Sequence, residues 1–413
     1  MLSDDRVCPR ALPSERRVAT RHRRVACATH SIVKYAGWRR PATGSSGGTR
    51  LIRLALQPRR SVRLVLPARF GDNRAMPFPV NVAVHPSQFP ENVRRDLLES
   101  LRRRRVNPKF LYDSLKQTQK WLALHQACSP TRTDPDCAAI YDRSFEAAAR
   151  QIRARRIHVI GLGCGGGRKD TRLLRLLQSK GAEVFYTPCD VSVSMVLVAR
   201  QTAAAVVPEQ NCFPLVCDLA AADDLPAVLS ARPSSSWRGE AERRRLVPRL
   251  FTFFGMIPNF EPQVILPKLA ALVRLQDGLL FSANLAPGPD YGRGMTRILP
   301  QYENPLTRDW LMTFLLDLGV EKRDGRLRFQ IESHGGLKRI VAGFQFARSR
   351  RLVVDGREFE MRRGQTLRLF FSYRYTPERV HKVLAGHGLE VEERWIANSE
   401  EEGVFFCRRK GWC

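Results

Sequence analysis

The chain has 413 residues, of which 43% are hydrophobic and 26% charged, with a formal net charge of +29, so it can form a sizeable core in water. No apolar run approaches the roughly 20 residues of a membrane helix, and no apolar signal segment is visible, so we expect no membrane partner and a cytoplasmic protein. The ten cysteines form no C-x-x-C pair and no Cys/His spacing suited to zinc, which predicts reduced thiols and no metal site.

The basic charge comes mainly from arginine and is densest in residues 1–75. Such a charge is typical of nucleic-acid binding, but it also results from Arg-rich codon usage with solvated side chains. No aromatic residues are interleaved with the Arg clusters, as stacking on bases would require. We therefore expect no nucleic-acid partner and place the arginines at 102–105 on the solvent face of a helix end.

Residues 1–75 show no sustained helical or strand period. They fit a disordered basic tail, an organelle-type presequence or translation upstream of the true start, and we favour the last because Met76 opens a different kind of sequence. Residues 76–150 are predicted to be a helical segment that contributes to a substrate lobe. Its helices are expected over 91–104, 114–127 and 138–154.

From residue 151 onwards, short apolar runs alternate with helical stretches. The predicted strands lie at 157–163, 183–187, 212–217, 250–254 and 278–283. This alternation predicts an α/β fold with a doubly wound, mostly parallel sheet. Two more strands at 389–395 and 403–408 predict a terminal antiparallel hairpin, which is the class I methyltransferase version of that fold. Residues 151–289 and 371–413 would then form the methyltransferase core, with 290–370 as an inserted substrate lobe.

A glycine-rich loop, GLGCGGG at 161–167, follows the first of these strands, where backbone must turn sharply and approach a ligand closely. The pattern fits S-adenosylmethionine sites and dinucleotide sites alike. Asp190, just past the second strand, can hold ribose hydroxyls, and Asp218 at the third strand can lie near an adenine amine. Either aspartate could instead cap a helix. The glycines, both acids and the hairpin together favour S-adenosylmethionine over NAD.

Several motifs occur in one order along the chain: PKFLYD, SPTRTDP, IGLGCGGGRKDTRLL, TPCDVS, LFTFFGMIPNFEP, QYENPL and FSYRYTPE. In these motifs the chain, from about 108 to 408, resembles the histidine-specific Nα-methyltransferases of ergothioneine biosynthesis, whose relatives also methylate other amino acids. The resemblance implies a set of cofactor-binding residues: Tyr112, Gly163, Gly165, Lys169, Asp190 and Asp218. It also implies that Asn259 and Tyr302 hold the main-chain end of an amino-acid substrate, its carboxylate especially, and that Ser372 lies in the pocket. Lys169 could equally be a surface lysine.

The chain departs from this family pattern at the side-chain end of the pocket. The histidine enzymes have a glutamate for the imidazole two residues before the serine, where this chain has Phe370, and a pocket tyrosine where it has Cys128. The loop before Asn259 reads FGMIP instead of small residues, and a pocket methionine falls near Ala342. An apolar ring cannot replace the hydrogen bonds that the imidazole nitrogens of histidine lose on burial, and each unpaired nitrogen costs about 1–3 kcal/mol. We therefore expect Phe370 and Cys128 to contact a substrate side chain other than imidazole.

These residues predict an S-adenosylmethionine-dependent N-methyltransferase acting on the α-amine of an amino acid, either histidine or a more apolar or aromatic amino acid or derivative. No catalytic side chain is assigned, because methyl transfer needs alignment, here by Asn259 and Tyr302, rather than a covalent nucleophile. The alternatives are a basic RNA methyltransferase and a cofactor-binding relative without activity. We expect a monomer with a small-molecule amino-acid substrate. The HGG at 334–336 predicts a turn, and Tyr373 and Tyr375 are expected to be structural aromatics.

Overall fold

The computed structural model describes residues 61–66, 78–230 and 247–411. Its strands are β1 (Ser61–Leu66), β2 (Phe78–Val84), β3 (Arg156–Leu162), β4 (Glu183–Asp190), β5 (Leu215–Val216), β6 (Arg249–Phe253), β7 (Gly278–Asn284), β8 (Gly325–His334), β9 (Leu337–Phe346), β10 (Arg350–Val354), β11 (Arg357–Met361), β12 (Thr366–Arg374), β13 (Leu389–Ile396) and β14 (Glu402–Arg409). They form a nine-stranded sheet ordered β1-β2-β5-β4-β3-β6-β7-β14-β13, a three-stranded sheet β12-β9-β8 and a hairpin β10-β11.

The large sheet is parallel from β2 to β7 and antiparallel at both ends. β14 pairs antiparallel with β7 and with β13, so the chain closes the sheet with a hairpin. The central strands β4 and β6 are buried along nearly their whole length, as expected for parallel strands that are covered on both faces. The predicted doubly wound α/β fold with a terminal hairpin is confirmed.

The helices are α1 (Pro90–Arg103), α2 (Leu115–Cys128), α3 (Pro130–Thr133), α4 (Pro135–Gln151), α5 (Arg168–Ser179), α6 (Val193–Ala203), α7 (Leu225–Ser230), α8 (Pro262–Leu272), α9 (Tyr291–Tyr302), α10 (Pro305–Asp317) and α11 (Pro377–Ala385). Apolar side chains of α4 and α5 pack on one face of the large sheet with Val159 and Leu250. Those of α8 and α11 pack on the other face with Ile160 and Phe251. The alternating residues of each strand therefore serve two cores.

The inserted lobe contains α9, α10 and the sheet β12-β9-β8. Its own core includes Trp310, Phe344 and Phe370. The predicted boundary at 370 is wrong, because β12 runs through it and pairs with β9 from Thr366 to Arg374. The predicted turn at 334–336 is confirmed, since Gly335 and Gly336, both at positive φ, join β8 to β9.

The N-terminal predictions need two corrections. Residues 76–150 are not wholly helical, because β2 pairs in parallel with β5, and α4 packs on the core sheet rather than in the lobe. The segment FPVNVAV is apolar at every second residue, a strand period that the helical interpretation overlooked. Residues 61–66, predicted to lack regular structure, pair antiparallel with β2. The rest of the predicted tail, 1–60 and 67–75, lies outside the described residues.

Candidate active site

A cavity of about 990 Å³ opens where β3, β4, β5 and β6 end, the place at which doubly wound sheets bind ligands. The following predicted site residues line it: Tyr112, Gly163, Gly165, Lys169, Asp190, Asp218 and Asn259. Tyr302, Phe370, Ser372 and Cys128 are not part of its lining. The structure thus brings the predicted cofactor residues together with one of the predicted substrate residues.

The glycine loop passes close to its neighbours and turns through backbone angles that favour glycine. The amides of Gly163 and Cys164 donate to the carbonyl of Cys189, at 2.8 and 3.0 Å. Gly163 has φ +70°, and a Cβ atom at this position would lie 2.3 Å from Sδ of Met256. A side chain here would therefore strain the backbone and collide with Met256.

Asp190 fastens this loop to the end of β4. Its Oδ2 accepts from the amide of Gly165 at 3.0 Å, and its Oδ1 accepts from the amide of Ser192 at 3.0 Å. Burial raises the pKa of the Asp190 carboxyl, and these backbone donors counteract part of that effect. The N-cap of α6 is Ser192, so the capping alternative does not describe Asp190.

Asp218 divides its two carboxylate oxygens between two surroundings. Oδ1 accepts from the amide of Ala220 at 3.0 Å and so caps the following turn. Oδ2 is buried and has no hydrogen-bond partner within the described part of the chain, with Nζ of Lys109 3.4 Å away. Asp218 thus performs the local capping that we considered as an alternative. It also presents an unused acceptor oxygen at the cavity, where it could receive an amine.

Lys169 belongs to a partly buried polar network rather than to the surface. Its Nζ donates to the hydroxyl of Tyr141 at 2.8 Å and lies 4.0 Å from the centre of that ring. The Tyr141 hydroxyl in turn contacts the buried side chains of Glu402 and Ser282. Burial lowers the pKa of Lys169, and the charge of Glu402 opposes that effect. Sequence reasoning missed Tyr141 and Glu402, because they come from α4 and β14, far apart in the chain.

Tyr112 forms an aromatic wall with residues from two other elements. Its ring centre lies 6.0 Å from that of Trp121, which also lines the cavity, and 5.5 Å from that of Trp310. Trp121 stacks on His125 at 4.8 Å. Burial lowers the pKa of His125 to about 3, and the charges of Lys169, Arg132 and Arg168 act in the same direction. This imidazole is therefore neutral at physiological pH.

The predicted substrate residues separate into two places. Asn259 ends a short 3₁₀ helix at the cavity and donates from Nδ2 to the carbonyl of Phe371 at 2.7 Å. The hydroxyls of Tyr302 and Ser372 lie 2.8 Å apart inside the lobe, and Arg374 donates to Tyr302 from Nε and Nη2 at 3.3 and 3.2 Å. The structure thus pairs Tyr302 with Ser372, away from the cavity that Asn259 lines, whereas the resemblance implied that Asn259 and Tyr302 act together.

Of the departures from the family pattern, Phe370 and Cys128 lie outside the cavity lining, whereas Phe254, Gly255 and Met256 of the loop before Asn259 belong to it. The ring of Phe370 packs 6.2 Å from that of Tyr302 and 5.7 Å from that of Trp310 in the lobe core. Cys128 is exposed at the end of α2. The adjacent Phe371, together with Arg368, faces the cavity instead. Neither was singled out from the sequence.

Two further predictions concern metals and membranes. No group of three or more His, Cys, Asp or Glu side chains suited to a metal ion occurs among the described residues. None of the described helices has the length and apolar character needed to cross a membrane.

Comparison with known proteins gives a family match and distant structural similarities. No curated protein matches the chain. Solved structures with some similarity include the CcbJ methyltransferase of Streptomyces caelestis, with 14% identity, a TM-score of 0.33, and coverage of 66% of this chain and 89% of that one. Another is magnesium protoporphyrin IX methyltransferase of Synechocystis PCC 6803, with 12% identity, a TM-score of 0.37, and coverage of 73% of this chain and 97% of that one. The family of S-adenosylmethionine-dependent, histidine-specific methyltransferases matches residues 93–409, and the chain belongs to that family.

Proposed function

We propose that this S-adenosylmethionine-dependent methyltransferase methylates the α-amine of an amino acid or a close derivative. The observation that carries the proposal is one continuous cavity that joins the glycine loop, Asp190 and Asp218 to Asn259. A cofactor and a small acceptor could occupy such a cavity side by side. Their reacting groups would then meet without a separate channel between two sites.

The residues present fit the cofactor. Oδ2 of Asp218, which has no hydrogen-bond partner among the described residues, would accept from the adenine amine, and Asp190 would accept from the ribose hydroxyls. Gly163, at φ +70° and without a Cβ that would collide with Met256, lets the backbone of the loop turn at the cavity. The ammonium of Lys169 suits the carboxylate of the methionyl part, and its charge is supported by Glu402.

When bound, S-adenosylmethionine supplies an activated methyl group. The chain has to orient the acceptor amine, keep it unprotonated at the moment of reaction and exclude water. Nδ2 of Asn259 is held by the Phe371 carbonyl, which leaves Oδ1 to accept an N–H from the acceptor amine. Asn259 would in this way direct the nitrogen lone pair, and no covalent nucleophile from the protein is required.

The acceptor side chain is proposed to be more apolar or aromatic than an imidazole. Tyr112, Trp121 and Phe371 line the cavity, and position 370 carries a phenyl ring instead of the glutamate that serves histidine. Aromatic walls bind apolar and aromatic groups well but cannot satisfy two buried ring nitrogens. Histidine should therefore be a poorer acceptor than tryptophan or phenylalanine.

The test is a screen of the 20 common amino acids with methyl-labelled S-adenosylmethionine, using the wild type and Asn259→Ala. We expect the variant to lose methylation of the acceptor while its affinity for S-adenosylhomocysteine stays within about twofold, since the cofactor residues are untouched. Asn211→Ala is the matched control. It removes another asparagine at the end of a short 3₁₀ helix, whose Nδ2 also donates to a carbonyl, but away from the cavity lining.

The outcomes separate the candidate functions. Equal methylation by both variants would contradict the role of Asn259, and a strong preference for histidine would contradict the altered pocket. Cofactor binding without label in any acceptor would favour a relative without this activity. Salt-sensitive methylation of RNA would support the nucleic-acid alternative instead.

A further inference from the structure

Two arginines on paired backbone segments line the cavity that Asn259 also lines. Arg105 forms a parallel bridge with Arg368, through hydrogen bonds from the amide of Val106 to the carbonyl of Arg368 and from the amide of Arg368 to the carbonyl of Arg104. Residues paired in this way place their side chains on the same face. Both Arg105 and Arg368 line the cavity.

Arg368 is the more enclosed of the two. It is half-buried, and its guanidinium carbon lies 5.3 Å from the ring centre of Phe371, whose carbonyl accepts from Asn259. Burial lowers the pKa of Arg368, the positive charges of Arg339 and Arg105 act in the same direction, and the negative charges of Glu261 and Glu332 oppose them. Its positive charge is therefore held next to other positive charges, an arrangement that an anion would stabilise.

The nearby carboxylates are already committed to Arg339. Glu261 accepts from Nη1 of Arg339 at 2.9 Å and from the hydroxyl of Tyr373 at 2.6 Å. Glu332 accepts from Nη2 of Arg339 at 3.3 Å. Within 78–230 and 247–411, neither Arg105 nor Arg368 has a carboxylate within ion-pair distance or a side-chain hydrogen bond. Partly buried arginines are normally paired, so Arg368 lacks its usual partner.

The carboxylate end of the acceptor likewise lacks its expected anchor. The hydroxyl of Tyr302 lies outside the cavity lining, where Ser372 and Arg374 already bond to it. One amide N–H of Asn259 already donates to the Phe371 carbonyl. The two residues that the resemblance assigned to the carboxylate therefore have few hydrogen-bond donors left for it at this cavity.

We propose that Arg368, assisted by Arg105, forms an anion subsite that binds a carboxylate of the methyl acceptor. The fork of N–H donors on a guanidinium matches the two oxygens of a carboxylate, and the cation–π contact with Phe371 restricts the guanidinium of Arg368. This inference rests on the proposed function, since it assigns a binding group to the same acceptor. The carboxylate can be the α-carboxylate or one on the side chain.

The experiment measures acceptor binding by calorimetry in the presence of S-adenosylhomocysteine, and methyl transfer separately. The variants are Arg368→Gln, Arg368→Lys and Arg105→Gln. The matched control is Arg328→Gln. Arg328 is exposed on β8 and outside the cavity lining, and it pairs with Gly343 of β9, the residue that Arg368 of β12 pairs with on the other side. The probes are tryptophan with tryptamine, histidine with histamine, and glutamate with glutamine.

We expect Arg368→Gln to weaken binding of the preferred carboxylate-bearing probe by at least about tenfold, as loss of a hydrogen bond to a charged group should. Methyl transfer should show a raised KM with little change in kcat, and Arg368→Lys should recover part of the affinity. The amine that lacks the carboxylate should bind both proteins equally weakly. A difference within the amino acid and amine pairs assigns the α-carboxylate, and one confined to glutamate against glutamine assigns a side-chain carboxylate.

Equal binding by Arg368→Gln and Arg328→Gln, or no binding of any carboxylate-bearing probe, would overturn the subsite. Failure of the proposed function would look different. A probe would then bind with dependence on Arg368 and yet receive no label.

Discussion

Asp218→Asn isolates the acceptor oxygen on which the proposed adenine contact depends. In the wild type, Oδ1 accepts from Ala220 and Oδ2 is buried without a hydrogen-bond partner among the described residues. The asparagine should keep its oxygen on Ala220, because that amide needs an acceptor. Its NH₂ group then replaces Oδ2. Two hydrogen-bond donors, this NH₂ group and the adenine amine, would then face each other without an acceptor.

The expected effect can be estimated from the group that is lost. A hydrogen bond to a charged acceptor contributes about 1.5–3 kcal/mol, so the Kd for S-adenosylhomocysteine should rise by roughly 10- to 150-fold. Stability should fall as well, because Lys109 and Asp218 are both buried and Lys109 loses the charge of Asp218. The cap is retained and Lys109 keeps its ion pair with Asp96 at 2.5 Å, so the free energy of unfolding, measured in urea, should fall by less than the about 3–5 kcal/mol that breaking a buried pair costs.

The assay is calorimetric titration with S-adenosylhomocysteine and with S-inosylhomocysteine, in which an acceptor oxygen replaces the adenine amine. Asp218→Asn should shift the preference toward the inosine compound, since its NH₂ group can donate to that oxygen. Asp223→Asn is the control, because Asp223 lies five residues on and pairs at the surface with Lys268, outside the cavity lining. If Asp218→Asn and Asp223→Asn bind both compounds alike, Asp218 does not contact the base.

Three more outcomes follow from the same site. Gly163→Ala should weaken S-adenosylhomocysteine binding and lower the free energy of unfolding by roughly 1–3 kcal/mol, because its Cβ would collide with Met256 at a positive φ. Urea unfolding measures the loss. The control is Gly166→Ala, where a Cβ meets nothing closer than 3.8 Å and φ is not positive. Glu402→Gln should raise the Kd for S-adenosylhomocysteine by removing the charge that supports Lys169, whereas Glu401→Gln at the neighbouring, less buried position should not. The pKa of His125 is about 3 in the folded chain, below its ordinary value of 6.5. When the pH falls below 6.5, His125 therefore takes up a proton in the unfolded chain but not in the folded one, and the free energy of unfolding decreases. His125→Gln should therefore lose less stability than the wild type between about pH 7 and pH 5, as measured by urea unfolding at both values.

The cofactor end of the site was accessible to sequence reasoning because its parts are local. The glycine loop, Asp190 and Asp218 each follow an apolar run, and parallel strands bring their carboxyl ends to one edge whatever the rest of the chain does. β2 was missed for the opposite reason. Its apolar residues alternate, but a run of seven residues was outweighed by the helical pattern that follows it, and the pairings with β1 and β5 are what place it in the sheet.

The acceptor end could not be predicted in the same way, because a single irregularity decides which side chains face it. By simple alternation, Arg368 would share a face of β12 with Phe370 and Ser372. The register against β9 shifts between Arg368 and Phe370, which inserts one extra residue into the strand. Arg368 therefore lies on the face of Phe371, toward the cavity, while Phe370 packs into the lobe core with Tyr302 and Trp310.

This bulge links the family resemblance to the proposed specificity. A motif aligned residue by residue transfers the position of a side chain along the strand, but a bulge changes the face on which that side chain lies. At position 370 the family's glutamate is replaced by a ring that helps to fill the lobe core, and the cavity-facing positions are Arg368 and Phe371. An acceptor in this cavity would meet a cation and an aromatic face, because the position at which the resemblance implies a glutamate faces the lobe core. Its chemistry should therefore be sought among carboxylate-bearing amines with apolar or aromatic side chains, and Arg368 is the residue whose replacement tests that expectation most directly.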